Sequence, residues 1–387
     1  MALPLSYNVR NIKVRWQVTL LAIVGIALVV TVFVFLTAMS QGFRLALRAS
    51  GRTDNAIITQ KGSASELTSG ISRGNAALMM VDERIARDTD GQPLATGEIV
   101  VVASLKRKMD GSEVNVTVRG VMPKAMQVHG GMSIVRGRSL NPGLDEVVVG
   151  SRTADRFGLG VGSAVKIQKR DWQVVGIFSA DGSSFESEIW GDLNTMAEPL
   201  KRSGGYQSIT VRLADPTTLE AFKKTYEDDP QLQAQVASER KFYEDQAGPT
   251  ASALMGLATL VAVVMGIGAV FGAMNTMYAL VAARTREIGT LRALGFSRRS
   301  VMFSFVTESV FLAVVGGIVG CILALPANGI TTATSGANFS EVAFAFRITP
   351  FALAIGMAFA VTMGLIGGLL PATRAARMAI TSALRSA

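Results

Sequence analysis

Cysteine, histidine and charge are all scarce in this sequence. A single cysteine, Cys321, excludes an intrachain disulfide, and its apolar neighbours from Val319 to Leu325 favour inert burial over reactivity. One histidine, His129, offers no partner for a metal pair, and no group of His, Cys, Asp or Glu shows metal-ligand spacing. No G-x-x-x-x-G-K-S/T run occurs, so the chain does not itself cradle a nucleotide phosphate. Charged residues make up 17% of the 387 positions, against about 25% in soluble domains. That deficit lies in long apolar runs, which places the chain among membrane proteins with a soluble insert.

What charge there is has a strong regional bias. The net +9 could signal nucleic acid, but residues 43–248 hold 26 Lys+Arg and 26 Asp+Glu and are neutral. The remaining parts hold 12 Lys+Arg against Glu287, Glu308 and Glu341. A surplus confined to the flanks of apolar runs follows the positive-inside rule, and a nucleic-acid partner is not expected.

Spanning takes roughly 20 apolar residues in a helix. Residues 17–39, 253–282, 301–327 and 349–370 qualify. The first is too long for the apolar core of a signal peptide and reads as a retained helix. Arg10, Lys13 and Arg15 precede the first span, Arg284, Arg286, Arg292, Arg298 and Arg299 separate the second from the third, and Arg374, Arg377 and Arg385 follow the fourth. Four spans put all three groups on one side, so both termini and the 283–300 loop are expected in the cytoplasm. The 40–252 insert and the 328–348 loop then lie outside, and 371–387 forms a cytoplasmic tail. Residues 1–16 interleave basic side chains with Tyr7, Val9, Ile12, Val14 and Trp16, as suits a short helix lying in the membrane interface against lipid headgroups. The fold class is therefore an α-helical membrane protein of four transmembrane helices, with an α+β extracytoplasmic domain inserted between helices 1 and 2.

Within the insert, two alternating runs meet at Asp110-Gly111 as a hairpin. Helices are expected at 76–88, 151–157 and 216–228, and stalk helices at about 40–52 and 237–252. His129, followed by Gly130-Gly131, reads as a solvated loop histidine. Ser183-Ser184 has no histidine nearby in sequence to activate it and also reads as loop. Asp228-Asp229 before Pro230 reads as a helix end. Nothing here points to a catalytic residue, a cofactor or a metal.

The spans carry glycines at four-residue spacing: Gly268 and Gly272, Gly316 and Gly320, Gly364 and Gly368. Small residues let helix backbones approach in lipid, either within the last three helices or across a dimer seam. Glu308 and Asn275 are polar at membrane depth. Pairing of Glu308 with Arg286 or Asn275 is favoured over a proton-linked role, and Asn275 reads as an interhelical hydrogen-bonding residue. On a helix over 284–296, Ile288, Leu291 and Leu294 or Gly295 share one side, while Arg286, Glu287 and Arg292 are available for polar contact. Such a helix could dock into a partner's groove or simply meet lipid headgroups.

The stretch "MNTMYALVAARTREIGTLRALGFSRRSVMFSFVTESVFLAVVGGIVG", with "GGLLPATRAARM" closing the fourth span, resembles the FtsX-like ABC transporter permeases of the MacB/LolC group. "DEVVVGSRTADRFGLGVGSAVKIQKRDWQVVGIFSA" is similar to that group's periplasmic core domain. Ala283 stands where glutamate is usual, and "AITSALR" lacks the usual P-x-x-A-L. The resemblance implies a permease subunit of the mechanotransmission type in the inner membrane. ATP and Mg would be bound by a separate ATPase present in two copies. A second permease subunit would complete a homodimer or heterodimer, and a periplasmic adaptor and outer-membrane channel are further possible partners. It also implies docking of the ATPase at Arg284, Arg286, Glu287, Ile288, Leu291, Arg292, Leu294 and Gly295. Efflux and lipoprotein release both fit, and the alternative is a non-transporting scaffold that regulates envelope enzymes. In a Cys321→Ser background, a cysteine replacing Ser203 should label from outside with an impermeant thiol reagent, and one replacing Ser297 should not. External labelling of Ser297 in intact cells overturns the four-span topology.

Overall fold

The computed structural model describes residues 16–108, 111–335 and 340–379. The interfacial segment before Trp16, the Asp110 turn position and the end of the tail lie outside the described residues. The chain divides into a helical unit (up to Ser40, Ala253–Gly329, and from Phe346) and a sheet unit (Gln41–Ser252 and Ile330–Ala345).

In chain order the elements are α1 (Trp16–Ser50), β1 (Asn55–Gln60), β2 (Ile71–Ser72), α2 (Arg73–Met79), β3 (Ala95–Lys106), β4 (Glu113–Val121), α3 (Ala125–His129) and β5 (Ser133–Gly137). There follow β6 (Glu146–Gly150), α4 (Ser151–Phe157), β7 (Ala164–Ile167), β8 (Arg170–Ser179), β9 (Glu188–Asp192), α5 (Leu193–Ala197), β10 (Gly205–Tyr206), β11 (Ser208–Arg212), α6 (Leu219–Glu227) and β12 (Ala234–Ser238). The last are α7 (Glu239–Ala283), α8 (Thr285–Ala293), α9 (Arg298–Ala324), β13 (Thr331–Ser335), β14 (Glu341–Ala345) and α10 (Pro350–Arg377).

Among the described residues four helices are long and apolar enough to cross a membrane: α1, α7, α9 with its short continuation to Ala327, and α10. Each exceeds a span's length on at least one side, and α1 and α7 are single helices well beyond the apolar runs that mark them in sequence. In the helical unit, glycine permits the closest approaches. A methyl group at Gly320 would lie 2.6 Å from the Ala27 carbonyl, and one at Gly316 3.0 Å from that of Ile23, so α9 packs on α1. Gly364 and Gly368 of α10 face Ala313 and Ser309 of α9, where a methyl would meet side-chain carbons at 2.4 and 2.5 Å. Gly268 and Gly272 of α7 meet nothing within 4 Å. The six glycines thus separate: four set helix contacts within the chain, one pair against the first helix rather than among the last three, and two lie on an exposed face.

The sheet unit is built on one mixed sheet in the order β12-β1-β11-β3-β4-β9-β6-β8-β5, with β7 beside β8. β3 and β4 form the expected hairpin, from Ile99 opposite Gly120 to Lys106 opposite Glu113. Alternation of side chains along each strand gives the sheet two faces. One carries the apolar cores: Val101, Val118, Val149, Trp172 and Ile189 on one part, and Ile58, Val211 and Val236, with Phe222 of α6 against them, on the other. The opposite face carries Asn55, Glu98, Arg119, Glu188 and Ser208, and all of these are buried. The 328–348 loop includes the β13–β14 hairpin of this unit, held by Glu341 to Arg107 and Arg156.

Several local expectations change. The helix over 76–88 is the shorter α2, which stops at Met79, and Ile85 instead bridges to Leu213 at the sheet margin. The 151–157 helix is α4, and 216–228 is a 3-10 turn leading into α6, which ends before Asp228. His129 is not solvated: it closes α3 and is 2% exposed. Ser183 and Ser184 are buried too, and Ser184 donates its backbone N–H to the hydroxyl of Ser50 at the end of α1.

The glycine contacts give a direct test. Gly364→Ala should lower the thermal midpoint of the detergent-solubilised chain, at a cost of about 1–3 kcal/mol for overpacking. Gly248→Ala, with open space around it, should not lower the midpoint.

Candidate functional site: the loop between the second and third spans

Between α7 and α9 the backbone makes two sharp changes. Arg284 breaks the helix with φ −108° and ψ 14°, and α8 follows at Thr285–Ala293. Gly295 has φ 96°, a conformation costly for any residue with a Cβ, and it turns the chain toward α9. Ser297 then caps α9 by accepting from the Ser300 N–H. A nine-residue helix between two caps is the local answer to the spacing seen in the sequence.

Arg284 fixes this loop in place. Its guanidinium donates to both carboxylate oxygens of Glu308, at 2.9 and 3.3 Å, and lies over the Phe305 ring. Both partners are buried. The partner of Glu308 is therefore neither Arg286 nor Asn275. Arg286 is exposed on the far side of α8, and Asn275 lies on an exposed face of α7. Ile288 is also turned inward, packed with Leu280, Val281, Val301 and Phe305. Arg292 donates to the Ala376 carbonyl at 2.7 Å, tying α8 to the end of α10.

What remains outward is a smaller set. Arg286 and Glu287 are exposed, Leu291 is half-buried beside a small cavity lined by Arg284, Ile288 and Val301, and Leu294 is 73% exposed. The eight coupling residues inferred from sequence thus fall into two groups. Arg284, Ile288 and Arg292 attach the loop to its own chain. Arg286, Glu287, Leu291, Leu294 and Gly295 offer a basic and apolar outer surface.

A second cluster of ionisable groups, missed from sequence, lies in the sheet unit around Arg119 and His129. Arg119 donates to Glu66 and Glu98 at 2.7 Å and to Glu188 at 2.8 Å. His129 sits between the carboxylates of Glu98, at 2.7 Å, and Glu239. Burial alone would lower the imidazole's pKa, but those two carboxylates outweigh it and raise it to about 10, so the ring is a cation at neutral pH. Burial likewise works against ionised Glu98, and the adjacent His129 and Arg119 hold its carboxyl down to about 2. With a single histidine followed by two glycines, the only sequence signal for this cluster was that the polar positions of β3, β4 and β9 alternate in phase.

Residues 19–228 match the family profile described as MacB-like periplasmic core domain, and residues 259–380 match that of the FtsX-like permease C-terminal region. This chain belongs to that family. Among similar proteins, the macrolide export ATP-binding/permease protein MacB of Brucella abortus (strain 2308) is 28% identical over 239 residues, 59% of this chain and 36% of its own length. The pyoverdine export ATP-binding/permease protein PvdT of Pseudomonas fluorescens (strain Pf0-1) is 30% identical over 257 residues, 62% of this chain and 37% of its own. The permease therefore spans little more than a third of the length of these curated relatives. The periplasmic region of MacB from Actinobacillus actinomycetemcomitans aligns with 50% of this chain and 92% of its own at 14% identity and a TM-score of 0.38. The matched segments are permease segments, and the quoted relatives are named as carrying an ATP-binding part as well.

The Arg284–Glu308 pair makes a falsifiable claim about the loop. Removing one member of a buried pair strands the other charge, at a cost of about 3–5 kcal/mol, whereas replacing both with apolar residues is often neutral. Glu308→Ala should therefore lower the thermal midpoint in detergent sharply, and Arg284→Met with Glu308→Leu should recover most of the loss. An additive double variant would show that the pair is not coupled.

Proposed function

We propose that this permease is the transmembrane subunit of an ABC transporter, and that a separate ATPase subunit docks on the α8 loop. The observation that carries this is Leu294. A large apolar side chain at 73% exposure stands at the end of a nine-residue helix, with exposed Arg286 in the first turn of that helix and exposed Arg298 and Arg299 following. That surface suits an apolar anchor in a partner's pocket, with a rim of arginines for carboxylates. The loop is also stiffly attached to α9 and α10 through Arg284, Ile288 and Arg292, so force applied at Leu294 is passed on rather than absorbed. A headgroup anchor would need the arginines but not this attachment.

On this reading two ATPase copies serve a permease dimer placed in the inner membrane with both termini in the cytoplasm. ATP and Mg belong to the ATPase. Closure of the ATPases displaces α8, the long helices α1 and α7 carry the displacement, and the sheet unit moves on the outer side. The exposed face of α7, with Leu260, Val264, Ile267 and Phe271 beside Gly268 and Gly272, supports a helix-packing role for a second permease subunit. Export of a periplasmic substrate fits this arrangement better than chemistry in the sheet unit, whose only histidine is held between two carboxylates.

Leu294→Asp tests the docking. Losing an interface anchor costs about 2 kcal/mol or more, so co-purification of the ATPase should drop by at least about tenfold while the permease reaches the membrane at normal levels. Wild-type complex yield from this variant removes the docking site.

A further inference from the structure

The α7 helix begins at a buried carboxylate whose surroundings the proposed function does not use. Glu239 is its first residue and is fully buried. One carboxylate oxygen accepts from the Arg52 backbone N–H at 3.0 Å and from the Asn55 side-chain amide at 2.9 Å. The other faces Nδ1 of His129, whose Nε2 in turn donates to Glu98 at 2.7 Å. Glu98 accepts from Arg119, and Arg119 reaches Glu188 and Glu66. One turn further along α7, Tyr243 donates to Glu66 at 3.4 Å. A single run of charged contacts therefore leads from the start of α7 through α3 into β3, β4 and β9.

The end of α1 enters the same knot. Gly51 follows α1 directly, and a methyl there would lie 2.4 Å from the Arg240 Cα, so the two chain segments touch backbone to backbone. Arg240 donates its N–H to the Arg52 carbonyl, and Ser50 shares a 2.6 Å hydroxyl contact with Ser184.

We propose that Glu239, held by the doubly paired His129, is the positioning residue that makes the ends of α1 and α7 move with the sheet as one body. The physical reason lies in desolvation. An exposed ion pair can slide or exchange for water, but a fully buried carboxylate with three donors has one arrangement that leaves no charge unpaired. Displacement along α7 must then either move the sheet or strand a charge. Lys241–Asp245, an exposed pair one turn along the same helix, has no such constraint. This inference rests on the proposed function, since it assigns the joint by which displacement enters the sheet unit.

The test uses the full permease with its ATPase in nanodiscs, carrying spin labels at Ser203→Cys and Ala379→Cys in a Cys321→Ser background. ATP with vanadate should shift the distance between the labels in the otherwise wild-type protein. Glu239→Gln and His129→Gln should abolish most of that shift while ATP turnover stays within about twofold, and Lys241→Ala should change neither. Absence of a shift in the wild type sinks the proposed function and this inference with it. A normal shift in wild type and in either folded glutamine variant overturns the anchor alone. Folding is followed by trypsin resistance of the sheet unit. Should both variants lose that resistance, a disulfide between Ser50→Cys and Ser184→Cys in the unlabelled Cys321→Ser chain decides, read as coupling of ATP turnover to a change in trypsin resistance. A joint that already moves as one body tolerates the crosslink, with the ATP-dependent change preserved in oxidant. Loss of that change on oxidation and its return on reduction show that the joint must flex, which overturns the proposal.

Discussion

A guanidinium or carboxylate removed from water must find its full set of partners, and this requirement organises both units of the permease. In the sheet unit, Arg119 is 1% exposed and is satisfied by three glutamates from three different elements. Four carboxylates against Arg119 and the His129 cation would leave the cluster over-negative, and burial accordingly pushes the carboxyl of Glu188 above its usual range. The aromatic rings of Phe185 and Trp190 complete the shell around the guanidinium. No single strand could host this arrangement. It exists only where β3, β4 and β9 lie side by side and are covered by α3 and the start of α7.

Among the described residues the helical unit meets the same requirement through Arg284 and Glu308, which satisfy each other where α7 ends. The break at Arg284, the short α8, the inward packing of Ile288 and the outward position of Leu294 accompany this contact. Elsewhere in the unit, where no hydrophobic effect draws helices together in lipid, glycine sets the contacts. Gly316, Gly320, Gly364 and Gly368 bring α1, α9 and α10 to backbone distance, while most of the membrane face of α7 stays uncovered within one chain.

The two units divide their roles by kind of interaction. Lipid-facing helices cannot be held by hydrophobic burial and rely on close packing at small residues. The sheet unit combines two apolar cores on one face with an ion cluster on the other, which fixes geometry. The family profile over 19–228 takes in the first long helix with most of the sheet unit, and that over 259–380 takes in the other three long helices with the β13–β14 hairpin.

Much of this was legible in the amino-acid sequence. Apolar runs of sufficient length mark the four long helices, because the span is a property of the chain itself. Alternation marked the β3–β4 hairpin, and the 151–157 helix emerged with its bounds intact. The spacing of Ile288, Leu291 and Leu294 marked a short helix in the loop but not its sides, since Ile288 is packed inward and Leu294 is exposed. Tertiary structure decided the rest, wherever the outcome depended on what covers a residue. Glu98, Arg119 and Glu188 occupy the polar phase of alternating strands, the pattern of a solvated sheet face, and His129 precedes two glycines, the pattern of an exposed loop. All four are buried because α3, α7 and their neighbours close over that face. Local sequence records which side of a strand a residue takes, since that follows from backbone geometry one residue at a time. It does not record whether water or protein waits on that side, because the covering residues lie up to 184 positions away, as between Asn55 and Glu239.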